Sequence, residues 1–134
     1  MMKSEKEKEM AEHIGHFVMR DNRHAAFSRA GQEIGIILSS DYYVDIVSLL
    51  STPISHKEAK QYSKQLKLNL PSKKMLRLLA DNQDIVNNSL LSIGRGDCLI
   101  LGNVNDDFWT SRSNLPETDR RKVLFIRPIA HNSI

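Results

Sequence analysis

The sequence predicts an α+β fold, a mixed and mostly antiparallel sheet flanked by two or three short helices. Short runs rich in Ile, Val and Tyr occupy residues 14–50, apolar residues recur at helical intervals over 55–94, and short apolar runs return after residue 97. Strands followed by helices followed by strands is the α+β order, because a parallel sheet would need the two to alternate. The 134 residues, 40% of them hydrophobic, suffice for one core and not for two. A single cysteine, Cys98, rules out a disulfide framework, and no apolar run approaches the ~20 residues that span a bilayer.

The elements follow in order. Gly15–Met19 reads as a short strand ending in the turn-like Arg20-Asp21-Asn22-Arg23. Ile34–Leu38 and Tyr42–Leu50, separated by Ser39-Ser40-Asp41, read as an antiparallel hairpin. Only Asp45 and Ser48 interrupt the second run, so part of it is expected to be buried on both faces. Pro53 ends that strand, and Ser55 stands three residues before Glu58, the spacing of a capping box. The helix that follows puts Ala59, Tyr62 and Leu66 on one side and Lys57, Lys60, Lys64 and Lys67 on the other, a solvent face. Ser72 caps a second helix with Met75, Leu76, Leu78 and Leu79 as its apolar members. Asp81-Asn82 can cap a third, carrying Ile85, Val86, Leu90 and Ile93 up to a stop at Gly94; one kinked helix fits equally well. Cys98–Leu101, Phe108–Ser111 and Lys122–Arg127 read as strands, Gly102–Asp107 as a polar turn and Ser113–Arg121 as a loop.

Residues 1–13 alternate Lys and Glu with almost nothing to bury and read as a solvated arm; 14–134 then form the single domain. The arm lacks the apolar stretch of a secretory signal, which points to the cytoplasm or to a phage particle assembled there. Charge is uneven although the net value is only +3. Seven bases and one acid lie between His56 and Arg77, and five aspartates and one arginine between Asp81 and Asp107. The lysine face could attract an acidic partner or nucleic acid, but it carries no aromatic residue to stack bases, so nucleic acid is not the expected ligand.

Four phrases carry a family resemblance across residues 14–130. They are Ile34-Gly35-Ile36-Ile37, Leu70-Pro71-Ser72-Lys73-Lys74, Phe108-Trp109-Thr110-Ser111 and the closing Arg127-Pro128-Ile129. In order and spacing the sequence resembles the small bacterial and phage C-type-lectin-like domains related to the C-terminal domain of collagen-like adhesins. These share their fold with the formylglycine-generating enzymes. The resemblance implies a C-type-lectin-like fold that holds ligands in its loops. It also implies no enzyme, since the formylglycine-generating enzymes use paired cysteines and this chain has Cys98 alone. Met75 stands where the family commonly shows a Glu after two lysines.

Candidate ligand-binding residues are Asn103, Asn105, Asp106, Asp107, Trp109 and Arg112, on the loops Gly102–Trp109 and Ser111–Arg121. Asn and Asp side chains supply the oxygens that calcium wants, and C-type lectins bind sugar through calcium near a Trp. The same residues are what a turn between strands requires. Trp109 follows the acids instead of preceding them, so calcium is a secondary expectation. Trp109 itself reads as a core residue beside the loops or as a stacking face. Arg95-Gly96-Asp97 reads as a helix-exit turn. No Gly-x-Ser-x-Gly, Walker, His-Glu-x-x-His or Cys-x-x-Cys motif is present, and the five histidines show no metal spacing. The expected function is recognition of a protein or glycan ligand. The alternative is a structural protein of a phage particle, fibre or fimbria-like assembly, contacting copies of itself; no membrane association is expected.

Overall fold

A computed structural model describes residues 13–29, 31–112 and 118–129. The charged arm lies outside them except for His13, as does the part of the second loop at 113–117. Five strands form one sheet: β1 (Phe17–Met19), β2 (His24–Ala25), β3 (Glu33–Ile37), β4 (Tyr42–Asp45) and β5 (Phe125–Pro128). Their spatial order is β2-β1-β3-β4-β5, and every strand pair is antiparallel. Among the described residues four α-helices lie between β4 and β5, α1 (His56–Leu66), α2 (Lys73–Asp81), α3 (Gln83–Ser92) and the single turn α4 (Val104–Asp107), with a 3-10 turn at Gly96–Cys98. The α+β class is as the sequence predicts; among the described residues the sheet is wholly antiparallel instead of mixed, and the α-helices number four instead of two or three. Among the described residues no helix is long and apolar enough to cross a membrane.

The uninterrupted apolar strands reflect a sheet covered on both sides. Ile36 and Ile37 are both fully buried, yet successive side chains point to opposite faces. Ile36 joins Phe17, Val44 and Ile126 against Leu76, Leu79, Val86 and Leu90 of α2 and α3. Ile37 joins Val18, Tyr43 and Ile129 on the other face. Gly35 is required here by its neighbour. A Cβ at this position would sit 2.1 Å from Cδ2 of the Tyr43 ring and 3.0 Å from the Val44 carbonyl.

The helices start and stop where local chemistry says. Ser55 and Glu58 form the reciprocal capping box, and Ser72 Oγ accepts from the Met75 amide at 3.3 Å. Gly94, at φ 76°, ends α3 while the Arg95 amide reaches back to the Leu90 carbonyl at 2.8 Å. Asn82 separates α2 from α3, but its side chain closes α2 instead of opening α3: Nδ2 donates to the Leu78 carbonyl at 2.9 Å. The lysines of α1 are exposed as expected. Its opposite face is less covered than the periodicity implies, for Ala59 is buried while Tyr62 and Leu66 stay open.

Several strand expectations are corrected, each by a competing partner. Strand β4 stops at Asp45, not Leu50, because the buried Asp45 carboxylate accepts from the Ser48 amide at 2.9 Å and from the Ser48 hydroxyl, turning the chain; Val47 beyond it is 65% exposed. Arg127 on β5 donates to the same carboxylate at 3.2 Å. Cys98–Leu101 is no strand. Ile100 pairs with a side chain, its amide donating to Asn87 Oδ1 and its carbonyl accepting from Asn87 Nδ2, both at 2.7 Å. Gly102–Asp107 is not merely a turn, since Asn103 caps the helical turn α4. Phe108–Ser111 makes a single parallel bridge, Phe108 to Lys122, in place of a strand, and β5 begins at Phe125, not Lys122. Strand β2, two residues after the Asn22 turn, carries no pattern the sequence could announce. Arg95 and Asp97 do form a turn at the exit of α3, paired at 3.2 Å, with Arg95 also donating to the Leu49 carbonyl. Burial pushes the neighbouring Cys98 thiol up, against the pull of Arg95.

Two stability changes follow. Gly35→Ala is expected to lower unfolding free energy by about 1–3 kcal/mol in urea titrations, through overpacking against Tyr43. The second concerns His16, whose Nδ1 lies 2.9 Å from His13 Nδ1 in the turn before β1. Burial first, then His13, lower its pKa from the usual 6.5. The unfolded chain therefore takes up this proton at higher pH than the fold does. Stability is full above that usual value and falls as pH drops through it towards the lower folded value. Urea midpoints measured across this window should fall in the native chain and fall less in His16→Gln.

Candidate functional site

The residues that build the site are held by segments with little regular structure. Ile54, just before α1, exchanges two backbone hydrogen bonds with Arg121, each 2.9 Å. On the other side of the same stretch, the Lys122 amide donates to the Asp107 carbonyl at 2.8 Å and its carbonyl accepts from the Trp109 amide at 3.1 Å. Trp109 then donates from Nε1 to the Ile54 carbonyl at 2.7 Å, closing the ring of contacts. Its indole is 1% exposed and packs in a cluster with Ala59, Leu68, Leu70, Val123 and Phe125. The Arg121 guanidinium carbon lies 5.3 Å from the ring centroid, and the His56 ring 4.9 Å away. Beyond Trp109, the Thr110 carbonyl accepts from His56 Nε2 at 3.0 Å and the Ser111 amide donates to the Pro71 carbonyl at 3.3 Å. Trp109, Thr110 and Ser111 thus bond in turn to Lys122, His56 and Pro71 instead of to one neighbouring strand.

A cleft of about 810 Å³ opens beside this framework. Leu76, Phe108 and Trp109, all buried, form its floor, and Lys73, Arg77, Arg112 and Arg121 surround it with Asn105, Asp106 and Thr110. Lys73 and Arg77 are four residues apart and so share one face of α2. Four cations thus face one carboxylate. Among the described residues none of the four cations lies within 4.0 Å of an Asp or Glu oxygen. Arg121 donates to the Asn105 carbonyl at 3.3 Å, which ties β5's lead-in to α4.

The cleft gathers Asn105, Asp106, Trp109 and Arg112 from the six candidate residues. Asn103 and Asp107 do not line it. Asn103 is committed to its cap, with Oδ1 accepting from the Asn105 amide at 3.1 Å and Nδ2 donating to Asp106 Oδ2 at 2.9 Å. That bond also engages the one carboxylate of the cleft. Among the described residues no three His, Cys, Asp or Glu side chains are grouped to hold a metal ion. As a stacking face Trp109 is corrected by its burial: the indole is wall and floor, with Arg121 already over its ring. Sequence reasoning missed Lys73, Arg77 and Arg121. Lys73 and Arg77 were visible only as part of a basic stretch, and nothing local placed that stretch beside residues 105–112.

No protein-family model, no curated protein and no solved structure matches the chain.

Because Trp109 Nε1 donates to the Ile54 carbonyl, Trp109→Phe removes one hydrogen bond and leaves a void where the indole was. Stability is expected to fall by about 2–4 kcal/mol, read by far-UV circular dichroism in urea. An unchanged midpoint would mean the indole is not the joint described.

Proposed function

We propose that this chain is a non-enzymatic recognition module of C-type-lectin-like fold that holds a glycan or a protein loop in the cleft beside Trp109. The observation that carries this reading is the set of cations without ion pairs among the described residues, with amide and hydroxyl groups between them, over a buried apolar floor. An arrangement of this kind suits binding: donors are abundant, they come from three separated segments, and the backbone beneath them is fixed. The lectin-like resemblance of the sequence supports the same use of the loops.

A second reading, a subunit of a phage particle, fibre or fimbria-like assembly, draws on a different surface. Val47 and Leu66 are exposed and share a shallow recess with Leu68 and Ile34 near Arg127. Contacts between copies would use that recess, and the cationic cleft would be incidental to them.

The test is an amide-resolved NMR titration of the labelled chain with neutral oligosaccharides, acidic oligosaccharides and acidic peptides, alongside light scattering. Saturable shifts centred on Lys73, Arg77, Arg112 and Arg121 from a monomeric chain are the expected result. A silent panel, shifts centred elsewhere, or a discrete oligomer closed over Val47 and Leu66 would overturn the recognition reading.

A further inference from the structure

A second recess, of about 490 Å³, is lined in part by residues that neighbour the lining of the first in sequence. Lys60 and Lys64 of α1 line it, with Ser63, Asn69 and Ser111. Two segments, 69–73 and 110–112, supply lining residues to both recesses and form the partition between them. Thr110 and Arg112 line the first recess while Ser111 lines the second, and the Ser111 amide is fastened to the Pro71 carbonyl at 3.3 Å. Asn69 stands on one side of Pro71 in the second recess and Lys73 on the other side in the first.

From this arrangement we infer that the two recesses form one track for a linear acidic polysaccharide, a chain of sugars bearing sulfate or carboxylate groups, laid across the partition. The inference rests on the recognition reading and names the ligand class of that site. Six cations line the track: Lys60, Lys64, Lys73, Arg77, Arg112 and Arg121. Among the described residues none of them is in an ion pair. A single small anion reaches one recess only, whereas a repeating polyanion meets both. Between the cations stand Asn69, Asn105 and Ser111, neutral groups that can both donate to and accept from sugar hydroxyls, and Ser63 and Thr110, whose hydroxyls donate to the Leu68 and Arg112 carbonyls and so offer only lone pairs. Nucleic acid is the poorer fit. Binding of single strands relies on aromatic faces for the bases, and the two rings of the track, Phe108 and Trp109, are 4% and 1% exposed. Because the cations are solvent-facing, each contact is weak alone and the sum is sensitive to salt.

The test measures binding of the native chain to three fluorescent probes: heparin oligosaccharides for sulfate, oligogalacturonates for carboxylate, and single-stranded oligothymidylate. Uncharged dextran serves as the fourth. At least one acidic polysaccharide should bind more tightly than oligothymidylate, and the arm that binds identifies the acidic group. Lys64→Glu in the second recess and Arg112→Glu in the first should each weaken it by about fivefold or more, with salt weakening it further. Lys57→Glu, on α1 but outside both recesses, should change it by less than about twofold, which separates a track from general attraction to a basic surface. Melting curves of the three variants confirm that each is folded.

Equal losses at Lys57, sensitivity at only one recess, or tighter binding of oligothymidylate would overturn the inference. If dextran binds and Arg112→Glu abolishes it, the recognition reading stands and the acidic ligand falls. If no probe binds, the acidic track is overturned, while the titration with peptides and neutral sugars decides the broader reading separately.

Discussion

Trp109 joins three stretches of chain that share no strand or helix: the approach to α1 at Ile54, the turn after α4, and the lead-in to β5 at Arg121 and Lys122. The Ile54 carbonyl accepts from both the Arg121 amide and the indole N–H, so two donors converge on one half-buried acceptor. In a low-dielectric setting an unsatisfied carbonyl or indole N–H costs on the order of 1–3 kcal/mol, which makes this junction tightly determined. Apolar burial adds to it, as the same ring fills the space between Ala59, Leu70 and Phe125. The cleft inherits its rigidity from here. Trp109 cannot move without opening that cluster, and the other two floor residues, Leu76 and Phe108, are set in the main core.

The cleft's charge follows from what the framework leaves over. Arg121 lies over the indole with its guanidinium and donates to Asn105, while Arg112 and the first turn of α2 are brought in by the Ser111–Pro71 hydrogen bond. None of these cations is deeply buried, so the fold can tolerate them without carboxylate partners; exposed charges stay hydrated and screened. The carboxylates serve elsewhere. Glu58 completes a capping box, Asp45 clamps Ser48 and Arg127, and Asp97 pairs Arg95. A basic helix and an acidic loop, as the sequence displays them, are therefore not two faces of the molecule: Asp106 sits among the cations with its carboxylate engaged by Asn103.

What could be read from sequence was whatever is decided within a few residues. Ser55 with Glu58, Ser72, the Gly94 stop and the Ile- and Tyr-rich hairpin all depend on local chemistry, and each appears in the structure. The failures lie where a distant side chain takes over a backbone group. Asn87 supplies Ile100 with both a donor and an acceptor and so substitutes for a neighbouring strand, and His56 does part of the same for Thr110. No periodicity announces such a partner, since an amide 13 residues away looks like any polar helix position. The site was legible in the same proportion. The loop residues Asn105, Asp106 and Arg112 stand out because turn-rich segments carry function, whereas Lys73 and Arg77 join them only through the long-range crossing at Pro71.

That crossing also bears on a local rule the chain breaks. Helices favour acidic residues in their first turn, where the macrodipole is positive, by about 0.3–1 kcal/mol each. Helices α1, α3 and α4 obey, with Glu58, Asp84 and Asp106 with Asp107; α2 has no acid there and begins Lys73-Lys74. Those lysines add to the positive end of their own helix instead of offsetting it. The helix still forms because Ser72 caps it and because Leu76 and Leu79 are fully buried against the sheet, contributions larger than the electrostatic cost. Packing thus carries α2, and its unfavourable first turn stands where Lys73 opens into the cleft. A negative group held there would reduce the repulsion within α2 as well as contact Lys73, so the intrinsic preference of the helix and the unpaired charge of the cleft favour the same sign of ligand.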